Sequence, residues 1–464
     1  MEARRTNGAA ALVCALLALQ TVRGSAVVEG TSANAASDEH ATVEDSCLNR
    51  CLDERADARC LPGDSLACAQ TNSTHAKESL VGFYYDGQEL ISYSNRTDGS
   101  PHPDMKDTWW SVVDDVKERH ARFVNGPKDR QDGFGVEGKR LKDFEALRVD
   151  HIDCPHKIDR IYRSEVTPEQ FWERYERPEL PVMIQDIPEW HGWTAVQRWG
   201  WEELEKNFFN WPAKVGHATE GYELHMPLAA FLRYAENQTD DDPLYVFDEH
   251  FAKEDNVARG LLEDYSVPDY FPDDMFELLG EEKRPPYRWM LIGPERSGTG
   301  VHTDPLGTSA WNTLMRGRKR WVLFEPLMNK EIVSGKSVRN VLENSDAGNY
   351  FVDELPRIKA LYEKKGLKVY EIIQHPGETI YVPGGWWHGV MNLDDTIAVT
   401  QNFCGRNNFD TCWRETRKGR PHMAERLLTK LTTTYPAVAE RAKELNKLDR
   451  YKAPKKKKPS PEKA

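Results

Sequence analysis

Two histidines and one aspartate in the second half of this 464-residue chain have the types and the spacing of a metal site. His302 and Asp304 are two residues apart, and an extended strand points side chains at this spacing to the same face. His388 would supply the third ligand. Two imidazoles and one carboxylate on one side of an ion are typical of the facial triad of mononuclear iron(II) oxygenases. A His-x-Asp sequence alone is more often a hydrogen-bonded pair, so the prediction depends on His388.

Lys319 is the next residue that this chemistry requires. An iron site of this kind needs a co-substrate that delivers electrons to oxygen, and a keto acid with a distal carboxylate would need a buried cation. Lys319 lies in the β-prone run Lys-Arg-Trp-Val-Leu-Phe, and an ammonium inside a barrel is costly unless it is paired. The alternative is a surface lysine in a basic cluster with Arg316, Arg318 and Arg320.

A turn and two tryptophans precede the third candidate ligand. Val-Pro-Gly-Gly at 382–385 is a turn sequence that starts a new strand. Trp386 and Trp387 follow it and are bulky enough to exclude water from an adjoining site.

The scaffold that must bring these residues together is predicted to be mainly β with flanking helices. Short β-prone runs separated by Gly and Pro turns predict a β-sandwich or a jelly-roll, cupin-like barrel, and a barrel of this type can hold a metal near its mouth. Strands are predicted at 180–187, 287–292, 309–315, 318–324, 379–382, 388–393 and 397–403. Helices are predicted at 107–122, at 167–177 behind a capping box, and at 199–209, 227–237, 422–433 and 437–448. The last two would cover the barrel or pair between subunits.

Longer motifs in the same region resemble the Jumonji-C (JmjC) oxygenases, a double-stranded β-helix family. Within that family the chain is similar to the bifunctional arginine demethylase and lysyl-hydroxylase group, formerly called the phosphatidylserine receptor. The resemblance rests on Pro-Pro-Tyr-Arg-Trp at 285–289, Ser-Gly-Thr-Gly-Val-His-Thr-Asp-Pro-Leu-Gly-Thr-Ser-Ala-Trp-Asn at 297–312, Pro-Gly-Gly-Trp-Trp-His at 383–388 and Thr-Gln-Asn-Phe at 400–403.

The resemblance implies roles for individual residues. His302, Asp304 and His388 would hold Fe(II), and Lys319 would bind the distal carboxylate of 2-oxoglutarate. Further polar contacts in the pocket would come from Thr299, Asn312, Tyr245, Thr400 and Asn402. The implied reaction consumes O2, converts 2-oxoglutarate to succinate and CO2, and hydroxylates a substrate carbon.

Both ends of the chain differ from the nuclear relatives that this group leads us to expect. A basic start, an apolar run at 9–22 and small residues near Ala26 predict a secretory signal peptide. Four cysteines at positions 47, 51, 60 and 68 predict two disulfides, with a zinc knot as the alternative, and Cys404 with Cys412 would form a further pair. Cys154 would remain without a disulfide partner. The tail carries four lysines at 455–458.

We therefore expect six segments. They are a signal peptide at 1–26, an accessory region with the cysteine cluster at 27–150, a helical and β lead-in at 151–255, a JmjC catalytic domain at 256–420, C-terminal helices at 421–450 and a basic disordered tail at 451–464.

The leading hypothesis is an oxygenase that hydroxylates lysyl side chains of a polypeptide in the secretory pathway. The alternatives are a nuclear protein or histone arginine demethylase and a non-catalytic secreted cupin-like binding protein. The net charge of −13 gives no support to bulk nucleic-acid binding by the main body, so such contacts would need a local basic patch or the lysine tail. We expect no integral membrane association after leader removal, and a homodimer through the C-terminal helices.

Overall fold

The computed structural model describes residues 83–85, 90–92, 113–117, 141–217, 223–340 and 346–453. All of them belong to one compact unit. The predicted leader, the cysteine cluster at 47–68 and the lysine run at 455–458 lie outside these residues. Within the described part of the chain, no helix is both long enough and apolar enough to cross a bilayer.

Fifteen strands are present among the described residues. They are β1 (Phe83–Tyr85), β2 (Leu90–Ser92), β3 (Asp159–Tyr162), β4 (Val182–Gln185), β5 (Pro212–His217), β6 (Glu223–Pro227), β7 (Val246–Asp248), β8 (Arg288–Gly293), β9 (Gly298–His302), β10 (Ser309–Arg316), β11 (Lys319–Phe324), β12 (Tyr370–Gln374), β13 (Thr379–Val382), β14 (Trp387–Asn392) and β15 (Thr396–Phe403). All seven predicted strands are confirmed, as β4, β8, β10, β11, β13, β14 and β15. The β5–β6 hairpin and β12 were not predicted.

Two sheets form the jelly-roll. One has seven strands in the order β3-β4-β13-β10-β15-β8-β7, and the other has four in the order β12-β11-β14-β9. Apart from the parallel pair β3 and β4, the neighbouring strands in both sheets are antiparallel. The predicted fold class is therefore confirmed.

Helices surround the sheets. The α-helices are Leu141–Glu145, Pro168–Phe171, Ile187–His191, Ala195–Arg198, Trp201–Phe208, Leu228–Asn237, Lys330–Val333, Ala347–Asn349, Leu355–Tyr362, Phe409–Gly419, Pro421–Thr434 and Pro436–Leu448. The predicted capping box is present, because Thr167 accepts from the backbone N–H of Gln170 and the Gln170 side chain accepts from that of Thr167. A π-helical turn, Trp172–Glu176, then continues this helix.

The three C-terminal helices pack within the chain. Their buried residues, among them Trp413, Leu427 and Leu445, form one apolar cluster with Met275 and Phe276 of the 3-10 helix Met275–Leu279. This arrangement corresponds to the covering role that the sequence allowed. A homodimer and the six domain limits stay predictions.

The predicted disulfide between Cys404 and Cys412 is wrong. Both residues are buried free thiols, and Cys154 is free as well. Cys412 Sγ donates to the carbonyl oxygen of Gly307 at 3.2 Å, and the two thiols are in hydrogen-bond contact. Burial raises the pKa of the Cys404 thiol well above its ordinary value, which favours the unreactive protonated form.

Candidate active site

His302, Asp304 and His388 come together where β9 and β14 pair. His302 is the last residue of β9 and lies opposite His388 in the strand register. Their ring centroids are 4.3 Å apart. Asp304 keeps an extended backbone before the turn Pro305–Gly307, so its side chain stays on the side of His302.

The turn that carries Asp304 is locked against the turn that precedes His388. Gly307 has a positive φ of 67°, and a Cβ atom on Gly384 would lie 2.4 Å from the Gly307 carbonyl oxygen. Glycine is therefore required where the two backbones touch. This contact fixes the aspartate relative to the second histidine.

The three side chains can hold one metal ion. Their ligand atoms all lie within 4.8 Å of one another, and His388 Nε2 is 4.0 Å from Asp304 Oδ2. Asp304 Oδ2 is buried and has no hydrogen-bond partner among the described atoms. A buried carboxylate oxygen without a donor is costly, and a cation at this position would satisfy it. The donor set of two nitrogens and one oxygen suits iron(II).

Both imidazoles are oriented for ligation through Nε2. His302 Nδ1 lies 2.8 Å from the carbonyl oxygen of Gly300, and His388 Nδ1 lies 3.2 Å from that of Trp386. An Nδ1–H that donates to a carbonyl leaves a lone pair on Nε2. Burial, and next the neighbouring His302, lower the pKa of His388 to about 4, which keeps this imidazole neutral.

Lys319 is fully buried and has no carboxylate partner in the described parts of the chain. Its Nζ donates to Asn392 Oδ1 at 2.6 Å, to Tyr245 Oη at 3.2 Å and to Thr396 Oγ1 at 3.3 Å. Burial lowers its pKa to about 7. The surface alternative is therefore wrong. An ammonium held by three neutral oxygens is well placed to receive an anionic ligand.

A cavity of about 260 Å³ joins Lys319 to the metal ligands. Its lining includes every pocket residue named from the sequence: Tyr245, Thr299, Asn312, Thr400 and Asn402. Thr400 Oγ1 donates to the Trp311 carbonyl at 2.8 Å, and Asn402 Nδ2 donates to Thr308 Oγ1 at 3.0 Å.

The apolar walls of the cavity differ from the sequence prediction. Trp386 does not line it; the ring packs edge-on against Tyr370 with centroids 5.4 Å apart, and Nε1 donates to the Glu179 carbonyl. Trp387 lies on the opposite face of β14 from His388, since neighbouring strand residues alternate. The aromatic lining comes from Phe247, Trp289 and Trp321 instead.

Asn392 and Thr396 were not predicted from the sequence as residues of the site. They hold the Lys319 ammonium and lie outside the quoted motifs. The spacing of His388, Val390 and Asn392 was an available signal, because residues two apart share one face of a strand.

Comparison with known proteins agrees with this geometry. Residues 289–403 match the family described as "JmjC domain, hydroxylase". The chain is 38% identical over 294 residues to the bifunctional arginine demethylase and lysyl-hydroxylase psr-1 of Caenorhabditis elegans, covering 63% of this chain and 73% of that protein.

Two further relatives extend the comparison. The lysine-specific demethylase JMJ21 of Arabidopsis thaliana is 38% identical over 53% of this chain and 25% of its own length. The 2-oxoglutarate and iron-dependent oxygenase JMJD4 homolog of Drosophila melanogaster is 29% identical over 46% of each protein. With the jelly-roll and the cavity between its sheets, these matches show that the chain belongs to the JmjC family of iron- and 2-oxoglutarate-dependent oxygenases.

Proposed function

We propose that the protein hydroxylates lysyl side chains of a polypeptide, with His302, Asp304 and His388 holding Fe(II). The observation that carries the proposal is the shared cavity, in which the three candidate ligands lie together with a buried lysine that has no carboxylate partner among the described residues. Bound iron and 2-oxoglutarate would supply the chemistry, in which oxidative decarboxylation to succinate and CO2 is coupled to insertion of oxygen into a C–H bond. The protein residues orient the reactants and exclude water.

The co-substrate is assigned to the end of the cavity at Lys319. The ammonium would pair with the distal carboxylate of 2-oxoglutarate, and the Tyr245 hydroxyl lies beside it at 3.2 Å. Asn392 and Thr396 hold the ammonium in place before the ligand arrives. A cation that is already oriented and dehydrated loses little further entropy on binding. Thr299, Asn312, Thr400 and Asn402 would contact the rest of the molecule.

The apolar rings of Trp289, Trp321 and Phe247 are assigned to shielding. Trp321 lies 6.1 Å from the His388 ring, and Trp289 packs 5.6 Å from Phe247. These rings keep water from the space between the ligand set and the substrate carbon. An environment of this kind protects a reactive intermediate from quenching by solvent.

The choice of a lysyl target rests on the relatives. The psr-1 protein of C. elegans carries both activities in its name, and its similarity extends over 294 residues of this chain. Arginine demethylation is the second candidate function, because hydroxylation of an N-methyl carbon releases formaldehyde by the same chemistry. The enzyme classes named for the relatives leave no support for the non-catalytic cupin alternative.

Mass spectrometry after turnover tests the target. Matched peptides carrying lysine, or methylated arginine, should be incubated with the iron-loaded protein and 2-oxoglutarate. We expect lysyl peptides to gain one oxygen atom and methylarginine peptides to remain intact. Loss of methyl groups as formaldehyde, with no oxygen gain on lysine, would contradict the lysyl assignment and favour the demethylase. Omission of 2-oxoglutarate is the control.

We assign the reaction to the secretory pathway, because the first 26 residues contain a basic start, an apolar run and small residues in the order that is typical of a signal peptide. We expect the protein with a fluorescent protein fused to its C-terminus to enter the endoplasmic reticulum. Accumulation in the nucleus would overturn this assignment and favour the nuclear alternative.

The affinity for 2-oxoglutarate is expected to fall as pH rises above about 7. Below that pH the Lys319 ammonium is already charged, because its pKa is about 7. Above it the free protein loses the proton that the bound carboxylate needs, so affinity should decline by up to about tenfold per pH unit. Calorimetry of the manganese-loaded protein across this range should also detect proton uptake.

Lys319→Met is the matched control for the pH dependence. Its residual affinity for 2-oxoglutarate should not vary through this range, because methionine does not titrate. An affinity of the unmodified protein that stays flat from about pH 7 to 8.5 would contradict the assigned role of Lys319.

A further inference from the structure

A second cluster of metal-ligating side chains lies away from the JmjC triad in the chain. Glu223 and His225 are two residues apart on β6, so their side chains share one face of the strand. His250 lies in the turn directly after β7. The ligand atoms of the three residues all lie within 4.8 Å of one another.

Both imidazoles point Nε2 at the same carboxylate oxygen. His250 Nε2 is 2.6 Å from Glu223 Oε2, and His225 Nε2 is 3.4 Å from that atom. The two rings are stacked with centroids 5.8 Å apart. Both contacts are hydrogen bonds, and the three ligand atoms are close enough together for one ion to replace these bonds.

The His225 tautomer makes this position favourable for a cation. His225 Nδ1 lies 3.0 Å from the Pro212 carbonyl oxygen, so Nδ1–H donates to it. A neutral imidazole then directs the Nε2 lone pair at the lone pairs of a carboxylate. The His225 side chain is only 3% exposed, so water cannot relieve the repulsion. A second proton on His225, or a metal ion in its place, makes this contact favourable.

The charge around the cluster is compatible with a bound cation. The Lys214 ammonium lies beside two carboxylates, Glu223 and Glu249, so one negative charge remains before the histidines are counted. Lys214 Nζ is 2.7 Å and 2.8 Å from the two Glu249 oxygens and 3.1 Å from Glu223 Oε1. Glu223 Oε2 is therefore left for the imidazoles. A cation shared by Glu223 Oε2 and the two imidazoles would offset the remaining negative charge.

The fold gives this position a structural purpose. The β5–β6 hairpin is separate from the large sheet, while β7 is the edge strand of that sheet beside β8. Asp248, at the end of β7, is fully buried and accepts from Trp211 Nε1 at 2.9 Å and from the Lys214 backbone N–H at 3.3 Å. A metal between β6 and His250 would clamp the hairpin to the strand that follows Tyr245.

We propose that Glu223, His225 and His250 form a second metal site, which takes Zn²⁺ and joins the β5–β6 hairpin to the end of β7. Two imidazole nitrogens and one carboxylate oxygen suit zinc. The three residues do not line the cavity that contains the triad, and they join two elements of the fold, so we assign the ion a structural role.

The test uses the full chain with the catalytic ligands removed, since the triad could also bind zinc. The His302→Ala/Asp304→Ala protein should retain one zinc per chain after dialysis against trace zinc. Its thermal unfolding midpoint should rise when zinc is added. His250→Ala in the same background should lose both the bound zinc and this rise.

His191→Ala is the matched control, because His191 also lies beside a carboxylate, Asp269, at 3.2 Å but outside the cluster. It should retain the zinc. If His250→Ala does not fold, zinc-edge X-ray absorption on the background protein decides the matter, and two imidazole ligands support the site. A background protein that holds no zinc, or that holds it equally with and without His250, overturns the proposal.

Discussion

Replacing Lys319 with methionine is expected to weaken 2-oxoglutarate binding by about 30-fold or more. Truncating one partner of a buried charge pair costs about 2–5 kcal/mol, and each 1.4 kcal/mol is about tenfold in affinity. The distal carboxylate would lose its only charged partner among the residues that line the cavity. Calorimetry of the manganese-loaded variant measures the effect.

The same substitution should change the free energy of unfolding little. Lys319→Met removes three hydrogen bonds, to Asn392, Tyr245 and Thr396, each worth roughly 1 kcal/mol. It also removes a buried ammonium with no carboxylate partner in the described parts of the chain, which is costly to desolvate. These two effects oppose each other. If Lys319 serves ligand binding, its substitution should lower the affinity for 2-oxoglutarate strongly and change the free energy of unfolding little.

Lys214 is the matched control, because it is a buried lysine that does have carboxylate partners. Lys214→Met leaves Glu249 without its ion pair, so we expect a loss of about 3–5 kcal/mol in the free energy of unfolding. The folded fraction should bind 2-oxoglutarate as tightly as the unmodified protein. Unchanged affinity in Lys319→Met, or an equal loss of stability in both variants, would contradict the role assigned to Lys319.

Replacing Asp304 with alanine is expected to lower metal-dependent succinate formation by on the order of 100-fold or more. Changes that merely disturb the supports of a metal ligand already cost 10–100-fold, and this change removes the proposed ligand itself. In the metal-free protein the variant should be more stable, because Asp304 Oδ2 is buried without a partner. Thermal unfolding with and without manganese measures this second effect.

Asp264 provides the comparison for Asp304. It is 2% exposed, and it accepts hydrogen bonds from Thr194 at 2.8 Å, Arg198 at 2.6 Å and Trp199 at 3.0 Å. Asp264→Ala should therefore destabilise the protein while its dependence on metal stays intact. If Asp304→Ala instead destabilised the metal-free protein as strongly, Asp304 would be a structural carboxylate rather than a ligand.

Local sequence patterns were sufficient for the centre of the site. His302 and Asp304 could be paired because extended backbone has a period of two, and the structure keeps both residues extended up to the turn at Pro305–Gly307. Lys319 could be proposed because a keto acid with a distal carboxylate needs a buried cation as its partner. The β-prone runs were predicted because Gly and Pro punctuate them.

Residues whose roles depend on strand pairing could not be predicted in this way. Asn392 reaches Lys319 because β11 and β14 pair with these two residues opposite each other, a register that neither strand specifies alone. Trp386 was predicted to exclude water from the site because it is near His388 in sequence, yet its ring packs against Tyr370. Proximity along a turn does not determine which face a side chain joins.

The cluster of Glu223, His225 and His250 could not be predicted from local patterns either, because its members are far apart in the chain. Glu223 and His225 belong to a hairpin, whereas His250 follows an edge strand of the large sheet. No motif spans the three positions, so only the tertiary structure brings them together. The Cys404–Cys412 prediction failed for a related reason, because close spacing gave no information about thiols that are buried and reduced.

The most direct test measures succinate and hydroxylated peptide together, in the unmodified protein and in the His302→Ala and Asp304→Ala variants. We expect both products to form in equal amounts only when Fe(II) and 2-oxoglutarate are present, and to fall to background in each variant. Full formation of both products in the two variants would contradict the central claim that these residues hold the catalytic iron.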